Sequence, residues 1–394
     1  MKRIFVGITI CLMSIGKIAQ AQSVPDTNRV ITTVVPFLNF APDARIGALG
    51  NAGAALSADA NAAFFNPARL VHLKEHYGGA VSYTPWLRNL VDDMFIGNIS
   101  GYHKVGKGQV VALTLSYFNN GEIDLRDDRG GSNGKFHANE FMLGGTYSRQ
   151  LSENFSMGVT LKYINSNLAG NAVIGGQSAQ AAKTVAGDIS ALYRKEFGDP
   201  ETGKSFIWSL GGVLSNIGGK IGYGGDQTYF LPTNIKLGTA VSISNDGLSR
   251  FNFLLDLNKL MVPTNPIYRR DSNGNWIIEQ GRDPRDLSLF SSMFGSFSDA
   301  PGGFSEEIKE INMNLGIEYW YREMFALRGG YSAQNQMKGN SKFFTAGVGA
   351  KLQDKYGLDF AYLIPTTKDN PLANTIRITL SVNLNKKAAE FEDE

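Results

Sequence analysis

From Tyr77 to Leu384 the chain alternates apolar and polar residues with a period of two, and this pattern limits the fold more than any other feature. Val111, Leu113, Leu115 and Tyr117 alternate with Ala112, Thr114 and Ser116. Phe155, Met157, Val159, Leu161 and Tyr163 alternate with Ser156, Gly158, Thr160 and Lys162. Successive side chains of a strand point to opposite faces, so each run reads as a strand with one apolar face. With turn signals as boundaries, fourteen strands are predicted over 77–84, 94–104, 108–118, 137–150, 154–166, 183–197, 204–215, 234–244, 249–258, 308–321, 324–334, 342–352, 356–364 and 373–384. None contains any of the thirteen prolines, which cannot donate to a ladder. Helical periodicity is hard to find past residue 77.

The connections sort by length. Short ones (105–107, 151–153, 198–203, 245–248, 322–323, 353–355) alternate with long ones (85–93, 119–136, 167–182, 216–233, 259–307, 335–341, 365–372). Transmembrane barrels of the outer-membrane type have an even strand number, short periplasmic turns and longer outer loops. The predicted fold class is therefore all-β, a fourteen-stranded antiparallel transmembrane barrel, with both ends on the short-turn side. The apolar phase faces lipid and the polar phase faces the lumen, because only a closed barrel leaves no unpaired strand edge in hydrocarbon. Lys162, Asp256, Arg328, Asp359 and Arg377 all fall on the polar phase.

Composition agrees: 45 glycines and 43 aromatic residues (24 Phe, 15 Tyr, 4 Trp) suit a large sheet with aromatic girdles. Met1-Lys2-Arg3, the apolar run from Ile4 and Ala19-Gln20-Ala21 form a secretory signal pattern over 1–21, with the mature chain starting at Gln22. Cys11, the only cysteine, lies within it, so neither disulfides nor cysteine metal sites are expected. Without Lys2, Arg3 and Lys17 the basic count falls from 38 to 35 against 36 acidic residues, a near-neutral balance with no nucleic-acid footprint.

Ahead of the strands lies an N-terminal segment, 22–76, whose stretch from Val35 to Leu70 is dense in Ala and Gly. It reads as a plug threaded through a confined interior, where larger side chains would not fit. A plain helical hairpin, starting at Asp43 and again near Ser57 or Asp59, is the structural alternative. Polar residues spread through such a segment each need a partner. Asp43, Arg45 and Asp59 are expected to meet the charged lumen residues. The barrel is assigned to 77–385 and a charged periplasmic tail to 386–394, a tail with no terminal aromatic residue.

The residues Pro42, Asp43, Arg45, Gly47, Gly50, Gly53, Asp59, Asn66 and Pro67 carry a more specific signal. Together with Val35-Pro36-Phe37-Leu38, Ala52, Ser57, Ala60-Asn61 and Ala68, this stretch resembles the N-terminal signature of the PorV family, outer-membrane proteins of the Bacteroidota type IX secretion system. That family belongs to the wider fold of fourteen-stranded FadL-like fatty-acid channels with an N-terminal hatch. The resemblance implies a non-enzymatic outer-membrane protein. Such a protein takes folded cargo from the translocon pore protein, recognises the cargo's C-terminal domain and passes it to the cell-surface attachment complex. A FadL-type channel for hydrophobic small molecules is the alternative; it should show a continuous apolar track along the lumen, whereas the inward phases read as polar.

No chemistry beyond this is supported. His72 and His76 are spaced i, i+4, but no Glu follows His72, so a zinc site is not expected. Asp271-Ser272-Asn273-Gly274-Asn275 imitates the start of a calcium loop, yet its Gly comes at the fourth position and Arg282 stands where a bidentate Glu belongs. No glycine pair follows a strand and opens a helix, so phosphate binding is not expected. No cofactor and no catalytic constellation is predicted.

The longest connection, 259–307, is rich in large apolar side chains, which disordered segments lack and contact surfaces favour. Tyr268, Trp276, Leu289, Phe290, Phe294 and Phe297 are the candidate contacts for translocon or cargo, helped by 119–136 and 216–233. A short amphipathic helix is expected within Asp286 to Phe297. Alternatively, the loop folds back as a lid over its own barrel mouth.

Overall fold

A computed structural model describes residues 29–385 apart from 89, 127–130, 169, 171–172, 175–176, 200–203, 225–226, 354 and 367–374. The expected signal peptide (1–21) and tail (386–394) lie outside the described residues. Fourteen strands close into one barrel, each hydrogen-bonded to its sequence neighbours. They are β1 (Tyr77–Pro85), β2 (Phe95–Gly106), β3 (Gln109–Arg126), β4 (Ser132–Gln150), β5 (Phe155–Asn167), β6 (Ala182–Asp199) and β7 (Lys204–Gly218). The second half comprises β8 (Asn234–Ser244), β9 (Ser249–Leu260), β10 (Asn312–Tyr321), β11 (Phe325–Ala333), β12 (Lys342–Leu352), β13 (Tyr356–Pro365) and β14 (Ile376–Leu384). The seam is the antiparallel pair β1–β14, from Tyr77 opposite Leu384 to Tyr83 opposite Ile378.

The alternation sets the two faces. On β3, Leu113 is 65% exposed and its inward neighbour Thr114 only 3%. Near the long-loop end, Tyr83, Phe95 and Tyr117 make neighbouring ring contacts on the outer face. Near the short-turn end, Tyr193 meets Trp208 and Phe251 meets Tyr319. Outward aliphatic residues such as Val81, Ile99, Leu315 and Leu380 fill the band between, the arrangement of lipid-facing barrels.

The ends of several elements differ from the sequence expectation. Pro85 and Pro365 are the last residues of β1 and β13, so not every proline avoids a strand. A strand end tolerates a missing N–H at little cost. The predicted loop 119–136 is mostly ribbon: β3 and β4 run on past the barrel with register shifts at Asn119/Glu122 and Asp124/Arg126. With neither lipid nor core to face, that ribbon has no apolar phase to read. The strand predicted from 308 begins at Asn312, because 304–309 form a helix after the left-handed Gly303.

Two features of the interior also depart from expectation. The helical-hairpin alternative for residues 35–70 does not hold: its α-helices, α1 (Ala44–Gly47) and α2 (Ala62–Phe65), are single turns flanked by 3-10 segments Pro36–Asn39 and Pro67–His72. The segment also enters from the long-loop end. Arg29 N–H donates to Met337 O at 2.8 Å beside the β11–β12 connection, and Val34 N–H to Phe230 O at 3.1 Å in the β7–β8 connection. It leaves at the short-turn end, where Lys104 N–H donates to His76 O at 2.8 Å and β1 begins. Strand ends Tyr77 and Leu384 sit on the short-turn side as predicted, but the first described residues do not.

Candidate functional site

The N-terminal segment touches inward side chains from around the whole barrel, so it fills the lumen as a plug. Asp43 caps α1, its Oδ1 accepting from Ile46 N–H at 2.8 Å, with Pro42 buried beside it. Ala44 N–H donates to Thr379 Oγ1 of β14 at 2.9 Å. Gly50 N–H donates to Thr345 Oγ1 of β12 at 2.9 Å, and that hydroxyl donates to Ala48 O at 2.8 Å. Gly53 and Ala54 N–H both donate to Asp256 Oδ2 of β9, at 2.8 and 2.9 Å. Asn66 donates to Ala54 O at 2.6 Å and accepts from Ala68 N–H at 3.0 Å. Ser148 of β4 and Ser156 of β5 donate to Pro67 O and Ala68 O, each at 2.7 Å.

The small residues follow from these close approaches. Gly50 has φ 63°, in the left-handed region, and lies against Gly330, where an added Cβ would be 2.1 Å from Gly50 N. A Cβ on Gly47 would meet Arg377 Nη1 at 2.3 Å, and one on Gly53 would meet Ile46 Cδ1 at 2.8 Å.

Arg45 is the electrostatic centre. Its Nε and Nη2 both bond to Glu318 of β10 at 2.9 Å, a bidentate pair, and Nη1 reaches Asp59 at 2.9 Å. Glu318 also accepts from Arg328 Nε at 2.7 Å and Asn252 at 2.9 Å, and Arg328 Nη1 reaches Asp359 Oδ1 at 2.6 Å. The result is a ladder of alternating sign, Asp59–Arg45–Glu318–Arg328–Asp359, buried at its middle and partly exposed at its two ends. Of the lumen charges predicted from strand phase, Asp256 meets the plug backbone directly, Arg328 and Asp359 join it through Glu318, which was not singled out, and Lys162 pairs instead with Asp188 of β6 at 2.7 Å. Glu318 lies on the polar phase of β10, so the same rule identifies it. Arg69 had no such signal: fully buried, it ties the plug to itself through Gly53 O at 2.8 Å and Ser57 O at 2.7 Å.

Replacing Asp256 with alanine leaves the Gly53 and Ala54 N–H groups without acceptors, at about 1 to 3 kcal/mol for each buried orphan. We expect a lower heat-modification midpoint on gels in detergent, with the barrel still formed; an unchanged midpoint would argue that the plug is held elsewhere.

Polar groups line much of the lumen, Glu140 and Ser166 near the long-loop end included, but not all of it. Towards the long-loop end the inward residues Ile96, Phe118, Met142, Ile164 and Ala186 are apolar, and Val35, Phe37 and Leu38 of the plug pack into them. The expectation of a uniformly polar interior fails here because this surface is buried against protein.

At the long-loop rim, the connection after β9 is folded. Residues 267–270 pair with 276–280 as a hairpin, followed by α3 (Leu289–Gly295), which lies within the stretch predicted to be helical, and α4 (Phe304–Lys309). Asp271 turns the hairpin, accepting from Asn273 and Asn275 N–H at 2.8 Å each. These bonds hold its carboxyl below the usual range. Among the described residues no His, Cys, Asp or Glu group is arranged to hold a metal, His72 and His76 included.

One face of α4 is locked to the barrel. Glu306, Glu307 and Glu310 are buried; Lys338 bonds to Glu306 and Glu310 at 2.6 and 2.7 Å, Lys259 to Glu307 at 3.0 Å and to Glu310, and Arg29 to Glu306 at 2.8 Å. Burial next to these carboxylates pushes Asp299 up to about 6. The other side is apolar and open: Trp276 is 64% exposed, Phe290 64%, Phe294 70% and Phe304 78%, with Tyr268 and Phe297 also exposed and Leu289 half-buried. The candidate contact residues thus share the rim, while the plug signature sits in the lumen; the structure does not bring the two sets together.

A closed, plugged fourteen-stranded barrel with an apolar outer band is a β-barrel protein of the outer membrane. The family model for the "Type IX secretion system protein PorV" matches residues 23–267. The chain belongs to the PorV family. No curated protein matches it. Among solved structures, the Ralstonia pickettii toluene transporter TbuX is 12% identical with TM-score 0.46, covering 89% of this chain and 99% of its own. The Pseudomonas putida toluene transporter TodX is 9% identical with TM-score 0.46, covering 90% and 98%. A Pseudomonas aeruginosa FadL homologue is 10% identical with TM-score 0.43, covering 91% and 100%. Likeness at that level carries no argument about function, and the fold rests on the strand pairing.

Proposed function

We propose that the chain is an adaptor of type IX secretion. In this reading it binds the C-terminal sorting domain of secreted cargo at the outer face and passes the cargo from the translocon pore protein to the surface attachment complex. The observation that carries the reading, beside family membership, is that the lumen is packed with the chain's own residues while a large apolar surface stands open at the rim. A barrel so filled works through its rim. The orientation proposed has the long loops extracellular and the strand ends Tyr77 and Leu384 periplasmic, with lipid around the outer band. The work is binding and transfer, and it requires no catalysis and no cofactor.

A second reading, a channel for hydrophobic small molecules, draws on the apolar inward face formed by Ile96, Phe118, Met142 and Ile164. That face is taken up by Val35, Phe37 and Leu38, which favours the adaptor. Deleting the gene separates the two. Loss of surface display of proteins with C-terminal sorting domains is the expected result; normal display with lost growth on long-chain fatty acids would reverse the assignment.

A further inference from the structure

At the short-turn mouth, beneath the plug, lies a cavity of about 500 Å³, well within the range of ligand sites. Its wall carries more positive than negative side chains. Arg45, Arg69, Lys74, Arg194, Arg250 and Lys351 line it against Glu75 and Glu323. Some of these cations are already matched: Arg45 by Glu318 and Asp59, Arg250 by Glu323 at 2.6 Å, Arg194 by Glu196 at 2.9 Å. Arg69, Lys74 and Lys351 have no carboxylate within ion-pair distance among the described residues; Arg69 donates to carbonyl oxygens and Lys351 lies 4.8 Å from the Trp320 ring centre. The wall also holds donors with no acceptor, Arg250 Nε and Trp320 Nε1. Leu192, Ile207 and Ala240 add an apolar side. A cavity with this wall suits a segment bearing several carboxylates and one large apolar side chain.

The chain itself supplies such a segment. Asn385, where the description ends, lines the cavity. The next residues are Lys386-Lys387-Ala388-Ala389, then Glu390-Phe391-Glu392-Asp393-Glu394. An extended chain covers up to about 3.5 Å per residue, so Glu390 can lie up to about 17 Å from Asn385, far enough to turn back into a mouth the chain already touches. We propose that the acidic stretch Glu390–Glu394 docks in this cavity, its carboxylates facing Lys351 and Lys74 and Phe391 against the apolar side. The tail is then a built-in occupant of the short-turn mouth. Nothing in this depends on what the opposite rim binds.

Two measurements on the purified full-length protein in detergent test it. In the first, the tail is neutralised by Glu390→Gln, Glu392→Gln, Asp393→Asn and Glu394→Gln together, and binding of a fluorescent synthetic peptide of residues 388–394 is followed by anisotropy. The neutralised protein should bind the peptide at least tenfold more tightly than the unaltered one, and Lys351→Glu added to it should abolish binding. Near 1 M salt the difference should vanish, since screening then acts within about 3 Å. In the second, a Ser242→Cys, Asp393→Cys pair should form a disulfide under mild oxidation, and a Gln150→Cys, Asp393→Cys pair, placing the first thiol elsewhere on the same rim, should not. Equal peptide binding with tight affinity by both proteins would assign the cavity to an acidic segment of another protein and overturn the proposal. So would absent binding by both, or equal cross-linking to positions 242 and 150.

Discussion

Arg45→Glu is expected to unseat the plug. The substitution sets a carboxylate against Glu318 and Asp59, which now bond to Arg45 at 2.9 Å, with Glu318 fully buried. Breaking a buried pair by removing one partner costs about 3 to 5 kcal/mol, and like charges at that distance add to it. The seated plug should therefore be disfavoured by a factor of at least about a hundred, each 1.4 kcal/mol being tenfold. The heat-modification midpoint should drop sharply, and segment 43–70 should become open to protease while the strands stay protected. Arg45→Met should be milder, because Glu318 keeps Arg328 and Asn252. If Arg45→Glu leaves midpoint and cleavage pattern unchanged, the charge ladder does not hold the plug.

Excising residues 267–298 should separate barrel from partner. The cut stops at 298 because Asp299 accepts from Thr264 N–H at 3.4 Å or less and Ala300 N–H donates to Glu307 Oε1 at 2.8 Å. Those residues anchor the loop, so the cut belongs before them. Because Thr264 and Asp299 are in contact, a linker of a few glycine and serine residues closes the gap without strain. The shortened protein should reach the membrane and remain heat-modifiable, yet co-purification with the translocon should fall at least tenfold and surface display of cargo should fail. Normal co-purification would place the contact outside the excised side chains.

Much of the barrel was legible because lipid and lumen enforce opposite chemistry on alternate residues. Wherever a strand crosses the membrane, as from Val111 to Tyr117, the pattern could be read and the register was found to follow it. Where neither solvent imposes a contrast, it is lost: in the ribbon beyond Asn119, and around α4, where Glu306 and Glu307 fall in the predicted connection and Glu310 in the strand predicted from 308, although the three form one buried face. The plug was recognisable by its small residues, but its partners were only partly so. Glu318 was open to the same phase argument as Arg328. The inward apolar positions Ile96, Phe118, Met142 and Ile164 were not, since a side chain buried against the plug looks in sequence like one facing lipid or core. Arg69 turns back on its own segment, and no periodicity records that.

The plug enters at the long-loop end, leaves at the short-turn end and is followed at once by β1, whose other edge pairs with β14 at the seam. Strand pairing from Tyr77 to Leu384 must therefore close around a segment that lies wholly upstream of it, and the seam can join only when the last strand arrives. The segment acts as a mandrel. Its backbone offers donors and acceptors at set heights to Ser148, Ser156, Asp256, Thr345 and Thr379, so a strand in the wrong register would present these partners at the wrong level. Proofreading of the circumference is then built into the interior, and a chain lacking residues 41–70 should stall as an open sheet rather than mature into a hollow pore.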